Sequence, residues 1–149
     1  MDIDTLEQQE KDLIFASFDL ADALNLGETL LRLARENAAP VVISIRTGDR
    51  VLFHAALPGS APLNDLWARR KSNTAPLFQM ASLLVGTRNR AKGESLAKHG
   101  LDPADYADHG GAVPIRVAGV GVVAVATVSG LPQIEDHALV VRGIEAYLT

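Results

Sequence analysis

Histidines, a tryptophan beside clustered cations, and adjacent carboxylates are the groups in this chain with chemistry to offer. The histidines are His54, His99, His109 and His137. No two of them have the spacing that sets a metal-binding pair on one helix face. His54 falls in a strand-like run, where packing or surface exposure accounts for it. His99 precedes Gly100 and suits a helix end, where its cationic form meets the negative end of the dipole. His109 precedes Gly110-Gly111, an unhindered backbone that can approach a ligand. His137 adjoins Asp136 near a helix start, and a carboxylate neighbour can orient an imidazole. Helix capping and surface polarity compete with a binding role for both His109 and His137.

Arg69-Arg70-Lys71 is the one basic cluster, and Trp67 stands just before it. A guanidinium fork and a lysine point charge together recognise a carboxylate or phosphate. A solvated helix face is the plainer account of the cluster taken alone. Glu135-Asp136 are adjacent and do not face one another on a helix, so they make no acid/base dyad. Gly119-Val120-Gly121 lacks the third glycine and the following helix of a dinucleotide loop. The phosphate-loop, nucleophile-elbow and zinc-protease motifs are absent. No catalytic residue is singled out, and no metal site is expected.

These groups need elements to hold them. Asp4 to Asp12 reads as a short helical arm, followed by a strand-length run, Leu13 to Phe18. Asp19 can cap the next helix. Its expected stripe is Leu20, Ala23, Leu24, Leu31 and Ala34, interrupted by Gly27 at about 1 kcal/mol relative to Ala. Residues 41–46 and 50–56 flank Thr47-Gly48-Asp49 as a hairpin. A two-residue Gly48-Asp49 turn suits the turn chemistry. A three-residue loop instead puts Ile43 opposite Phe53 and Ile45 opposite Val51, and this apolar match is the favoured register.

A helix begins near Leu63 and meets Pro76, which must kink it or start a second segment. Leu77, Met80, Ala81 and Leu84 continue its apolar face. Ala91 to His99 is expected as another short helix, ended by Gly100. Ala112 to Ala118 alternates as a strand and Gly119-Val120-Gly121 turns the chain. Val122 to Val128 is apolar on both faces, as a central covered strand is. The last helix starts at Pro132 with Ile134, Ala138, Val141, Ile144 and Leu148 as its stripe. The order α, β, α, β, β, α, α, β, β, α implies an α+β fold with a five-stranded, mainly antiparallel sheet. Residues 1–149 read as a single domain.

Composition removes several classes of function. The chain has 149 residues, 48% of them hydrophobic and 21% charged, an ordinary globular balance. It has no cysteine, hence no disulfide framework, thiolate nucleophile or Cys-held metal. A net charge of −4 argues against nucleic acid as a partner. No apolar run approaches the roughly 18 residues of a membrane span. The acidic start Met1-Asp2-Ile3-Asp4 is unlike a secretory signal, so a cytoplasmic protein is the default.

Three blocks occur in order. They are Asn64 to Lys71 with Phe78 and Ser82, then His109 to Ile115, then Gly119 to Gly121 with Val128 to Gln133 and Asp136-His137. Together with Leu26-Gly27 and Pro58-Gly59 they resemble the haem-degrading domain family of GlcG/HbpS-like haem-binding proteins. That family is related to the C-terminal domain of PduO-type cobalamin adenosyltransferases. The resemblance spans nearly the whole chain. It implies an α-β-α sandwich of the profilin-like or roadblock-like kind and a homo-oligomer. It also implies a small-molecule-binding role with haem or a related tetrapyrrole as ligand. An assembly module without its own chemistry and a small enzyme with an unrecognised site are the alternatives. A haem site needs an axial donor, an apolar slot and cations for the propionates. The chain offers His109 or His137, apolar surface, and Arg70 or Lys71.

The sharpest expectation joins the blocks. Trp67, Arg70 and Lys71 share a helix face. They are expected beside the His109-Gly110-Gly111 turn, with Asp136 and His137 at a neighbouring helix start. The pocket would accept a small anionic ligand, within one chain or between subunits. Binding would follow a histidine pKa near about 6.5. Replacing Arg70 and Lys71 by Ala would weaken binding without unfolding the chain.

Overall fold

The computed structural model describes every residue from Met1 to Thr149. The elements in order are α1 (Ile3–Asp12), β1 (Ile14–Phe15), α2 (Leu20–Glu36), β2 (Val42–Thr47), β3 (Arg50–Ala56) and α3 (Pro62–Phe78). Then come α4 (Ser82–Lys92), a 3-10 turn (Leu96–His99), β4 (Ala112–Val117), β5 (Gly121–Ser129) and α5 (Gln133–Leu148). The strands form one five-stranded sheet in the order β1-β4-β5-β2-β3. Only the β1–β4 pairing is parallel. The architecture is an α-β-α sandwich, with β5 at its centre as its two-sided apolar sequence implies.

Strand alternation assigns each residue to a layer. Ile43 and Ile45, Val113 and Ile115, and Ala126 and Val128 point to α2 and α5. There they bury Leu26, Leu30, Leu139, Val140 and Ile144 in one core. The opposite residues Ala112 and Val125 meet Ala75 of α3. The N-terminal helix is docked: Leu6 packs on Leu83 and Leu84 of α4. Glu10 pairs with Arg116 at 3.1 Å and Glu7 with Arg88 at 2.9 Å.

Local chemistry explains the boundaries. The Asp19 carboxylate accepts from the Asp22 amide at 2.9 Å, and the Asp22 carboxylate accepts from the Asp19 amide at 2.8 Å. This reciprocal box fixes the start of α2. Its buried stripe is Ala23, Leu26, Gly27, Leu30 and Ala34, while Leu20 and Leu24 are exposed. The expected stripe was therefore displaced around the helix. Gly27 marks the true inner face, because a Cβ there would collide with the Phe53 ring.

The hairpin also corrects the expectation. Gly48 and Asp49 form a two-residue turn, with Gly48 at φ +56°. Ile45 pairs with Phe53 and Arg46 with Val51, so the register shifts by one between them and Leu52 is the extra residue. Turn chemistry sets the register at the tip, and the bulge resets it one pair later. Apolar matching had little hold because β3 is an edge strand and Val51 is 59% exposed.

α3 runs through Pro76 to Phe78 and ends with Gln79 at φ 57°. α4 absorbs Ala91 and Lys92 and stops at Gly93. The expected 91–99 helix is thus split, and only the 3-10 turn closed by Gly100 belongs to its second half. β1 keeps just two residues of the expected 13–18 run. In α5, Val141 and Ile144 are buried, but Ile134 and Leu148 are exposed, and Leu139 and Val140 take their place in the core.

Candidate functional site

Helical spacing in α3 carries Trp67, Arg70 and Lys71 to the end of the sheet where β5 leaves for α5. The three have different fates. Lys71 is 2% exposed and donates to three acceptors: the Gly110 carbonyl at 3.0 Å, the Val128 carbonyl at 2.9 Å and Asp136 Oδ2 at 3.2 Å. Asp136, also 2% exposed, accepts from the amides of Gly130 at 3.3 Å and Leu131 at 2.9 Å. Burial pushes the Lys71 amine down and the Asp136 carboxyl up; the attraction between them opposes both shifts. The pair ties α3, the loop before β4, the end of β5 and the start of α5 into one knot.

The two glycines serve that knot. Gly111 sits at φ +138°, and a Cβ there would strike Lys71 Nζ and the Val128 carbonyl. At Gly110 a Cβ would strike the Gln133 carbonyl. The Gly110 amide is already donated to Gln133 Oε1 at 3.0 Å. It is therefore not free for an anion, and the first turn of α5 already carries Glu135 and Asp136.

Trp67 and its neighbours face outward. The His109 ring meets Trp67 edge to face at 4.9 Å between centroids. The Arg70 guanidinium lies over the Trp67 ring at 4.3 Å, a cation–π contact. Arg69 is paired with Asp105 at 2.8 Å. Arg70 makes no ion pair, and its buried Nε has no protein acceptor. His109 is exposed, yet its pKa is held below the ordinary histidine value. Partial desolvation is the main cause, and Arg90, Lys71 and Arg70 add to it while Asp108 opposes. The imidazole is neutral at pH 7.

His109 stands between two hollows. One, of about 230 Å³, is lined by Asn64, Trp67, Lys71, Gly110, Gln133 and Asp136. The other, of about 320 Å³, is more apolar and is lined by Arg70, Leu96, Ala97, Leu101, Pro103 and Tyr106. Trp67, Arg70, Lys71, His109, Gly110, Gly111 and Asp136 thus come together. His137 does not join them. It is buried on α5 against α1, with Nε2 at 2.7 Å from Gln9 Oε1 and Nδ1 without a partner. Burial lowers its pKa to about 4. His54 pairs with Asp65 at 2.7 Å, and His99 packs on Phe78. No three His, Asp or Glu side chains converge as a metal site.

The residues that sequence reasoning missed are Asn64, Gln133, Leu96, Leu101 and Tyr106. Asn64 and Gln133 lie inside the blocks that carry the resemblance. The other three come from a turn-rich stretch whose packing no periodicity signals.

Comparison with known proteins gives a consistent group of relatives. The family model described as haem degrading protein HbpS-like matches residues 18–145. A UPF0303 protein of Streptomyces coelicolor is 54% identical over 144 residues, covering 96% of this chain and 91% of the relative. The crystal structure of Ybr137w protein superposes with a TM-score of 0.89 at 34% identity, covering 99% of this chain and 88% of that one. The structure of a PduOC–haem complex superposes with a TM-score of 0.73 at 19% identity, covering 87% and 94%, which establishes a shared fold. No helix is long and apolar enough to cross a membrane.

Proposed function

We propose, because this chain belongs to the HbpS-like haem-degrading protein family, that it binds haem or a related tetrapyrrole on the face around His109. One observation carries the reading. A neutral, exposed imidazole stands between two hollows, beside the only cation of its cluster that no protein group neutralises. An axial donor must be unprotonated, a propionate needs a cation, and a macrocycle needs apolar surface. His109, Arg70, and the wall of Leu96, Leu101, Pro103 and Tyr106 are of these kinds. That another protein of this fold was solved with haem supports the same choice.

The roles divide accordingly. His109 would ligate, Arg70 would hold a propionate, and Trp67 would keep both side chains in place. Lys71, Asp136, Gly110 and Gly111 fix the loop that carries His109, and the cation is spent inside the protein. His137 belongs to the core behind the site. Bound haem would supply iron-centred chemistry, while the chain supplies binding and orientation. A hollow of about 320 Å³ is at the small end for a ligand pocket. It takes one edge of a macrocycle, and a second copy of the chain would cover the rest.

Wild-type protein titrated with haemin should give a saturable Soret shift. Arg70→Ala should weaken binding about tenfold, the value of one charge-assisted bond. Because the His109 pKa is lowered, affinity should hold as pH falls through about 6.5 and drop only below it. A titration without saturation, or an affinity that Arg70→Ala leaves unchanged, counts against the site.

We propose in addition that the protein is a homo-oligomer. Its support is β3, a seven-residue edge strand with Val51 exposed, and the exposed Leu20 and Leu24 on α2. Such edges and patches are normally covered. Light scattering should give a multiple of the 15.8 kDa chain mass. A monomer at micromolar concentration overturns this part.

A further inference from the structure

A third hollow, of about 300 Å³, opens on the other side of α3, away from His109. One wall is the β2–β3 tip, with Arg46, Thr47, Gly48 and Asp49. The other is the C-terminal half of α3, with Ser72, Asn73, Pro76 and Gln79, and the floor is residues 122–125 of β5.

The feature that singles this hollow out is Arg46. Its guanidinium is half-buried and makes no ion pair; it donates from Nη2 to Asn73 Oδ1, and its buried Nε has no acceptor. Desolvation pushes its pKa down. No carboxylate lies within ion-pairing distance, and Asp49 acts on it only at longer range, so the guanidinium keeps donor capacity for a ligand. Asn73 is itself fixed, because its Nδ2 donates to the Asp105 carbonyl at 2.8 Å, leaving Oδ1 for Arg46.

We propose that this hollow is a separate binding site for a small monocarboxylate, with the carboxylate on Arg46 and a short apolar body on Val122 and Val123. A planar carboxylate matches the guanidinium fork. Asp49 shares the wall and interacts with Arg46, so a dianion such as phosphate meets repulsion that a monoanion meets less. The valine floor favours a short hydrocarbon body over a bare inorganic ion. The site stands independently of the haem reading, since it shares no residue with either hollow at His109.

The test is a titration of the full chain with butyrate, followed by amide NMR and calorimetry, with inorganic phosphate as the comparison anion. Butyrate should saturably shift amides of Thr47 to Asp49, Asn73 and Val122 to Val125. Arg46→Gln should lose at least about tenfold in affinity, and Arg46→Lys should fall between, having charge without the fork. Asp49→Asn, at an exposed turn position, should fold normally and bind butyrate more tightly; this arm stands even if the arginine variants fold poorly. Shifts centred on His109 and Arg70, butyrate binding that Asp49→Asn fails to strengthen, or phosphate binding equal to butyrate would each overturn the proposal.

Discussion

Lys71→Met is expected to cost about 3–5 kcal/mol of folding stability, the usual loss when one partner of a buried ion pair is removed. Asp136 would stay 2% exposed with only two backbone amides to hold its charge. Against a typical domain stability of about 5–15 kcal/mol, that is a large fraction. The expected Arg70/Lys71 double alanine that leaves the fold intact is thus unsuited to this structure; Arg70→Ala alone is the clean probe. Adding Asp136→Asn to Lys71→Met should recover part of the loss, because the orphaned charge is then gone. The single-variant loss should also shrink at acid pH, where Asp136 takes up a proton. Urea unfolding of the four proteins in the cycle measures this. A Lys71→Met loss below about 1 kcal/mol would place the pair among weak surface bridges.

Stability should fall by about 3 kcal/mol as pH drops from about 6.5 to about 4, through His137 alone. The native pKa is about 4 because burial disfavours the cation. The unfolded value is about 6.5. The unfolded chain therefore binds the proton first. The contribution of His137 is complete above the unfolded value, declines as pH falls, and stops changing below the native one. His137→Gln should flatten the stability profile across that window, whatever it costs at neutral pH. The slope difference between the two proteins is the observable. Equal slopes would mean that His137 titrates normally.

Much of the fold was legible because it rests on local chemistry. Asp19 announced the start of α2, Gly100 the end of the 3-10 turn, and the doubly apolar run after Gly121 the central strand. The hairpin register failed because two local signals disagreed: turn chemistry won at the tip, and the bulge then moved the pairing further from the apolar match, setting Ile43 opposite Ala55 and Ile45 opposite Phe53. The site was legible only in outline. Spacing placed Trp67, Arg70 and Lys71 on one face, and the resemblance added the His109 turn. Spacing does not say which cation is buried. The acceptors of Lys71 lie 39, 57 and 65 residues away, and Gln9 lies 128 residues from His137. Those partners exist only once the sheet is assembled. The pairing that takes Lys71 inside is what leaves Arg70 as the available cation. Arg46 carried no signal at all, since a lone arginine before a turn looks solvated.

The central claim is that His109 is the residue that meets a tetrapyrrole. The direct measurement is the visible spectrum of haemin with wild-type protein and with His109→Ala, beside His99→Ala and His54→Ala as surface controls. The account predicts that wild type and both controls give the same saturable Soret shift and that His109→Ala loses it while keeping the wild-type unfolding midpoint. A folded His109→Ala protein with the wild-type spectrum and affinity would contradict it.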